Sequence, residues 1–158
     1  MSLEVTTPSD REIVMTRFFN APRHLVFEAW TNPALVPLWM LGPPGWTMPV
    51  CEIDLRPGGE WRFVWRRTAG TEMEMRGVYK EVAPPERLVS TERWGGQWPE
   101  TLNTLLLVEQ DGRTKLSNTV LYPSKEARDA ALQTGMMEGV TASFDRLEQY
   151  LGSAKAKA

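Results

Sequence analysis

Ser124 to Leu151 reads SKEARDAALQTGMMEGVTASFDRLEQYL, and its spacing decides the fold. Met136, Met137, Val140, Phe144, Leu147 and Leu151 recur three or four apart. At about 100° per residue they share one side of a helix. Glu138, Thr141, Asp145, Glu148 and Gln149 fall on the other side. Gly135 and Gly139 flank the apolar stripe, where glycine costs about 1 kcal/mol relative to alanine. That points to close approach by another backbone, or to open space. The stretch is expected to form one long helix, which needs a broad apolar surface to lie on.

The chain just before it supplies that surface. From Trp46 to Tyr122 strand-like sequence is cut at short intervals by turn residues. The breaks are Arg56-Pro57-Gly58-Gly59, Thr68-Ala69-Gly70, Ala83-Pro84-Pro85, Gly95 to Pro99, and Asp111-Gly112. Such a series predicts six strands in an antiparallel meander. Further upstream, Arg11 to Phe19 is rich in β-branched and aromatic residues and predicts a strand joining one sheet edge. Asn20-Ala21-Pro22 then opens a short helix with Val26, Phe27, Ala29 and Trp30 on its buried side, and Asn32-Pro33 opens another. The expected architecture is α+β: a curved seven-stranded antiparallel sheet around a long C-terminal helix, with two short helices after the first strand. A single domain is expected over residues 11–151, with tails at 1–10 and 152–158.

Composition excludes several function classes. The chain has 158 residues, 42% of them apolar and 24% charged, and a net charge of −2 with both signs interspersed. No basic footprint for nucleic acid is visible. The longest aliphatic run, Leu105 to Val108, is too short to cross a bilayer. The opening Met-Ser-Leu-Glu-Val has neither a basic nor an apolar signal region. Cys51 is the one cysteine, which forbids an intrachain disulfide and fits a reducing, cytoplasmic compartment. Seven Trp and eight Met are consistent either with core packing or with an adaptable apolar ligand site.

Alternation along each strand assigns faces. Trp61, Phe63 and Trp65 point one way; Met73, Met75, Gly77 and Tyr79 do so on the next strand. Leu88 and Trp94 carry Ser90 and Glu92 inward with them, Leu105 and Leu107 carry Asn103, and Leu116, Val120 and Tyr122 carry Asn118. Turn positions predict Leu107 opposite Leu116, Leu105 opposite Asn118, Trp94 opposite Thr101 and Trp61 beside Gly77. One inward row then reads Trp61, Gly77, Glu92, Asn103, Val120. An ionised carboxylate in a dry core costs several kcal/mol unless paired. Glu92 therefore implies a wet cavity, a partner or a polar ligand group, or else a position at the mouth or beside an arginine.

Enzyme signatures are thin. The chain has no Walker loop, no Gly-x-Gly-x-x-Gly, no zinc spacing and no Gly-x-Ser-x-Gly. His24, the one histidine, is expected on the surface of the first helix, and Cys51 as a small buried hydrophobe. Arg56-Pro57-Gly58-Gly59 joins two strands and opens no helix, so it is expected as a turn and not a phosphate loop. No cofactor or metal is called for.

Several stretches resemble a known family. Phe-Asn-Ala-Pro-Arg-His-Leu-Val-Phe-Glu-Ala-Trp-Thr-Asn-Pro from Phe19 to Pro33, followed by Trp39, is similar to the opening of the START-like (SRPBCC) superfamily. Asp54 to Phe63, Gly77 to Val82, Pro85-Glu86-Arg87-Leu88 and the closing Met137-Glu138-Gly139 resemble the branch named for homologues of the activator of the heat-shock-protein-90 ATPase. The resemblance implies the helix-grip fold, in which a curved sheet grips a C-terminal helix around an apolar cavity. Its members include lipid and polyketide binders, aromatic cyclases and co-chaperone domains. This chain departs from the pattern at Val140, where tryptophan often follows the helix glycine, and at Ser90 and Glu92, where apolar residues are expected.

The function expected is binding of a small, largely hydrophobic molecule (lipid-, polyketide- or aromatic-like) between sheet and helix. Its walls would be Trp61, Phe63, Trp65, Met73, Met75, Tyr79, Trp94, Met136, Val140 and Phe144, with Glu92, Asn103 and Asn118 as polar contacts. The alternatives are acid–base chemistry using Glu92 as the one catalytic candidate, or a chaperone-activating interaction module. Nucleic acid and membrane insertion are not expected. Outward Val64, Val78, Leu102 and Leu106 would support self-association.

Overall fold

The computed structural model describes residues 2–95 and 98–157. Met1, Ala158 and, within the expected Gly95 to Pro99 turn, Gly96 and Gln97 lie outside them. The element order is β1 (Glu4–Thr6), β2 (Glu12–Phe19), α1 (Arg23–Thr31), α2 (Val36–Trp39), β3 (Trp46–Ile53), β4 (Glu60–Arg67), β5 (Glu72–Ala83), β6 (Arg87–Trp94), β7 (Thr101–Gln110), β8 (Arg113–Leu121), α3 (Lys125–Leu132) and α4 (Met136–Lys157). One antiparallel sheet runs β1-β2-β8-β7-β6-β5-β4-β3, so β2 bridges to the last strand while β3 to β8 form the expected meander. This is the helix-grip arrangement.

Its strand count is eight, not seven. Glu4 to Thr6, expected within a tail, pair with Thr16 to Val14 and cap the sheet edge. At the other terminus α4 continues past Leu151 through residues 152–157, where alanine and lysine favour helix. Lys155 Nζ donates to the Asn20 carbonyl at 3.3 Å.

The expected single helix is two. Gly135 has φ +78, a left-handed conformation that suits glycine and ends α3. Thr134 Oγ1 donates to the Ala131 carbonyl at 2.6 Å across the break, and α4 restarts at Met136. Ser124 caps α3, its hydroxyl accepting from the Ala127 N–H at 3.1 Å.

The ladder keeps most of the expected register. Leu107 lies opposite Leu116, Leu105 opposite Asn118 and Trp61 opposite Gly77. The β6–β7 hairpin is slipped by two residues: Glu92 faces Thr101 and Ser90 faces Asn103. The cause is the length of the connection. Arg93 and Trp94 remain paired to Arg76 and Met75 on β5 after β6 has left β7. A slip of two preserves the face, so inward residues stay inward. Val64 differs as well: it is 6% exposed, opposite Val50 in the ladder, and offers no outer surface. Val78 and Leu102 are half-buried, and Leu106 is exposed.

The main core joins the inner face of the sheet to α1, α2 and α4, with Phe19, Val26, Val36, Trp39, Leu107, Leu116, Leu147 and Leu151 almost wholly buried. A smaller cluster of Ile13, Met15, Val120, Tyr122 and Ala131 packs under α3 with Met136 and Met137. Between them the helix and sheet do not meet.

Candidate functional site

That gap is a cavity of about 930 Å³. Its sheet wall is aromatic because β4 and β6 alternate in phase. Trp61, Phe63 and Trp65 follow one another along β4 at centroid spacings of 4.8 and 5.9 Å. Trp94 of β6 stacks on Trp65 at 5.3 Å and 17°. Met75 and Tyr79 of β5 are buried beneath them, while Met73 stands at the rim, 41% exposed.

The helix wall is a second aromatic group. Trp30 of α1 and Trp39 of α2 lie 4.8 Å apart, and Phe144 of α4 is 5.8 Å from Trp30. Trp39 is fixed by its indole N–H donating to the Ala29 carbonyl at 2.9 Å. Met136 and Val140 continue this wall, half-buried. The 40–43 loop closes one side: Met40 O accepts from the Trp65 indole at 2.7 Å, and Gly42 N–H donates to Ser143 at 2.9 Å. Gly139 faces that loop, and a Cβ there would make ordinary van der Waals contact with Pro43 at 3.5 Å. The rim runs past Met73, Trp98 and the Thr134–Gly135 break.

Gly77, unlike Gly139, is required. A Cβ on it would sit 2.0 Å from the Thr91 carbonyl oxygen and 2.6 Å from the Trp61 ring. Its bare backbone lets the Trp61 indole lie flat on the sheet.

The polar groups gather on β6, β7 and β8. Glu92 lies on the cavity wall, and its Oε1 accepts from the Trp94 indole N–H at 2.9 Å. The two side chains sit two residues apart on one strand face, which makes that contact local. No basic side chain is within ion-pair distance of Glu92 among the described residues. Burial pushes its carboxyl up to about 7, against a smaller lowering by the Trp94 hydrogen bond. Glu92 is half-buried by accessible surface and lies among the residues that line the cavity. Thr101 Oγ1 donates to the Glu92 carbonyl at 3.4 Å and accepts from Asn103 Nδ2 at 3.0 Å. Ser90, Asn118 and Tyr122 complete this part of the wall. Burial, with the Glu92 charge added, raises the Tyr122 hydroxyl to about 12.

The arrangement thus brings together Trp61, Phe63, Trp65, Met73, Met75, Tyr79, Glu92, Trp94, Asn103, Asn118, Met136, Val140 and Phe144 around one cavity. Sequence reasoning did not place Thr101 beside Glu92, nor Tyr122, Trp30 and Trp39 in the lining. Counting the β6–β7 connection two residues longer would have found Thr101; the short helices carry no periodic signal that distinguishes cavity from core. His24 is exposed on α1, and Cys51 is half-buried outside the lining, its thiol pushed up to about 11 by burial and then by Glu52. The 56–59 turn joins β3 to β4. Among the described residues no group of three or more His, Cys, Asp or Glu side chains is placed to hold a metal ion. No described helix is long and apolar enough to cross a membrane.

Solved structures share this fold over most of the chain. A Rhodobacter sphaeroides protein is 30% identical, covers 96% of this chain and 98% of its own, and superposes with a TM-score of 0.91. A Nitrosomonas europaea protein is 25% identical, with coverages of 95% and 99% and a TM-score of 0.84. A Chromobacterium violaceum protein is 27% identical, with coverages of 89% and 96% and a TM-score of 0.76. Among curated proteins none matches the chain. The profile of the family described as "Activator of Hsp90 ATPase homolog 1-like protein" matches residues 20–152. With the grip of sheet on helix and this span of matched sequence, the chain belongs to the Activator of Hsp90 ATPase homolog 1-like family, within the START-like superfamily.

Proposed function

We propose that the protein binds one small, largely apolar molecule in the cavity between the sheet and α4. The observation that carries this reading is the hollow itself: about 930 Å³ enclosed by two groups of aromatic rings and by methionines. Ligand sites of this kind are concave and mainly apolar, with a few polar groups that fix orientation. Glu92, Thr101, Asn103 and Asn118 supply such a group on one side only. Apolar lining left against water is penalised, so an apolar occupant stabilises the fold as well as filling the space.

Native mass spectrometry of the purified protein tests the proposal for a retained ligand. Titration of tryptophan emission with lipids, polyketides and polycyclic aromatics tests it for an added one. Saturable quenching at one molecule per chain is the expected result. Failure of every apolar compound to bind would remove the proposal.

A second reading rests on Glu92 alone. Its carboxyl sits near neutrality at a cavity wall beside Tyr122 and Asn103, where it could pass a proton to or from a bound carbonyl compound. Loss of turnover in a Glu92→Gln variant would favour this, and unchanged turnover would exclude Glu92 as the base.

A further inference from the structure

The charged residues along the cavity, among those described, are Glu72, Glu74 and Glu92; strand alternation turns the Glu72 and Glu74 side chains to the outer face of β5, so Glu92 alone presents its carboxylate inward. Two of them are already neutralised at the rim. Arg66 pairs with Glu72 at 2.6 Å, and Glu74 is held by Arg62 at 2.6 Å and Arg76 at 3.2 Å. Glu92 is not: its hydrogen-bond partner is the neutral indole of Trp94. That indole is stacked on Trp65, so the acid stands at the edge of a two-ring aromatic platform.

Such a wall sorts ligands by charge. A carboxylate or phosphate brought against it meets a like charge and finds no cation lining the space. A cationic nitrogen supplies the missing counter-charge and is also drawn to the faces of tryptophan rings. A neutral hydroxyl can hydrogen-bond to Glu92 but gains neither effect.

Resting on the reading that the cavity holds a small apolar molecule, we infer that this ligand carries a positively charged nitrogen, as in a hydrophobic amine, seated against Glu92 and the Trp65–Trp94 pair. The apolar body of the amine occupies the space toward Phe144 and Val140. Binding is then linked to ionisation of Glu92. The groups facing it are Trp94 on its own strand, Thr101 and Asn103 on β7, and Tyr122 on β8. Tyr122 stays neutral across the physiological range, and Glu74 at the rim stays ionised because Arg62 and Arg76 hold its carboxyl down.

Calorimetric titration with three probes of one shape tests this: naphthylethylamine, naphthylethanol and naphthylacetate. The amine should bind the wild-type chain roughly tenfold or more tighter than the alcohol, and the carboxylate weaker than both. Amine affinity should rise between about pH 5 and pH 8 as Glu92 loses its proton, while alcohol affinity stays flat. In Glu92→Gln the amine should fall to the level of the alcohol, and a near-ultraviolet circular dichroism spectrum matching that of the wild-type chain shows that the variant is folded. Should that variant not fold, the wild-type ranking and its pH dependence decide the matter alone. Equal binding of amine and alcohol, or an amine preference that survives Glu92→Gln, overturns the inference and leaves the cavity reading standing. Binding of none of the three overturns both.

Discussion

At Leu147 and Leu151 helix α4 shares a closed core with Phe19, Leu107 and Leu116, each 2% exposed or less. Two to three turns earlier, at Met136 and Val140, the same helix borders open space. Each end also holds one ionisable group on the inner face of the sheet. At the closed end Arg17 of β2, 2% exposed, is bonded to Asp145 at 2.8 Å and Glu148 at 3.0 Å, both carried by α4. At the open end Glu92 has a neutral indole and no counter-charge. Where the helix touches the sheet it brings two carboxylates to the Arg17 guanidinium, though Arg17 Nε is buried without a hydrogen-bond partner; where it stands off it brings no cation to Glu92 among the described residues. A group left in that condition is more simply explained by a ligand than by the needs of the fold.

Truncation along α4 should reveal the same gradient. Leu147→Ala is expected to have the largest effect, a loss of about 3–4 kcal/mol in a urea denaturation midpoint analysis, because the site is fully packed. A loss below about 1 kcal/mol would show that the closed end is not closed. Neutralising both acids, as Asp145→Asn with Glu148→Gln, leaves the Arg17 cation without a partner and should cost about 2–3 kcal/mol. Both carboxylates face solvent, which keeps this below the cost at a wholly buried pair.

At the other end the sign reverses. Burial raises the Glu92 carboxyl from 4.5 to about 7 in the folded chain, so the unfolded chain ionises first as pH rises. The ligand-free protein therefore loses stability from about pH 4.5 to about pH 7 and holds level above that, by about 1–3 kcal/mol in all. Glu92→Gln should recover that loss at pH 8 and change little at pH 4, read as the difference between two thermal melts. A variant less stable than wild type at pH 8 would mean that Glu92 has a cationic partner. Smallest of all, Val140→Ala should cost under about 1 kcal/mol, since its side chain already borders a void.

Much of this contrast was legible in the chain. Alternation placed Trp61, Phe63, Trp65, Glu92, Asn103 and Asn118 on the inner face, because strand parity does not depend on exact register. The stripe of Phe144, Leu147 and Leu151 placed α4 against them. What failed depended on local backbone choices. The β6–β7 slip turns on how far Trp94 stays with β5, which no pairing rule within one hairpin determines. The α3–α4 break turns on Gly135 adopting a left-handed φ; the apolar stripe begins only at Met136, so it carries no signal about where the helix before it ends. β1 forms three residues of edge pairing that carry no hydrophobic alternation strong enough to announce them.

The most direct test is to narrow the hollow. Val140→Trp places an indole in the space beside Phe144, and about 930 Å³ leaves room for it without displacing the sheet. Fluorescence titration with Nile red, an uncharged apolar dye, should show one saturable site per wild-type chain and weaker binding at that site in the folded Val140→Trp variant, which should melt at an equal or higher temperature. No saturable site in the wild-type chain, or undiminished dye binding by the folded variant, would contradict the account.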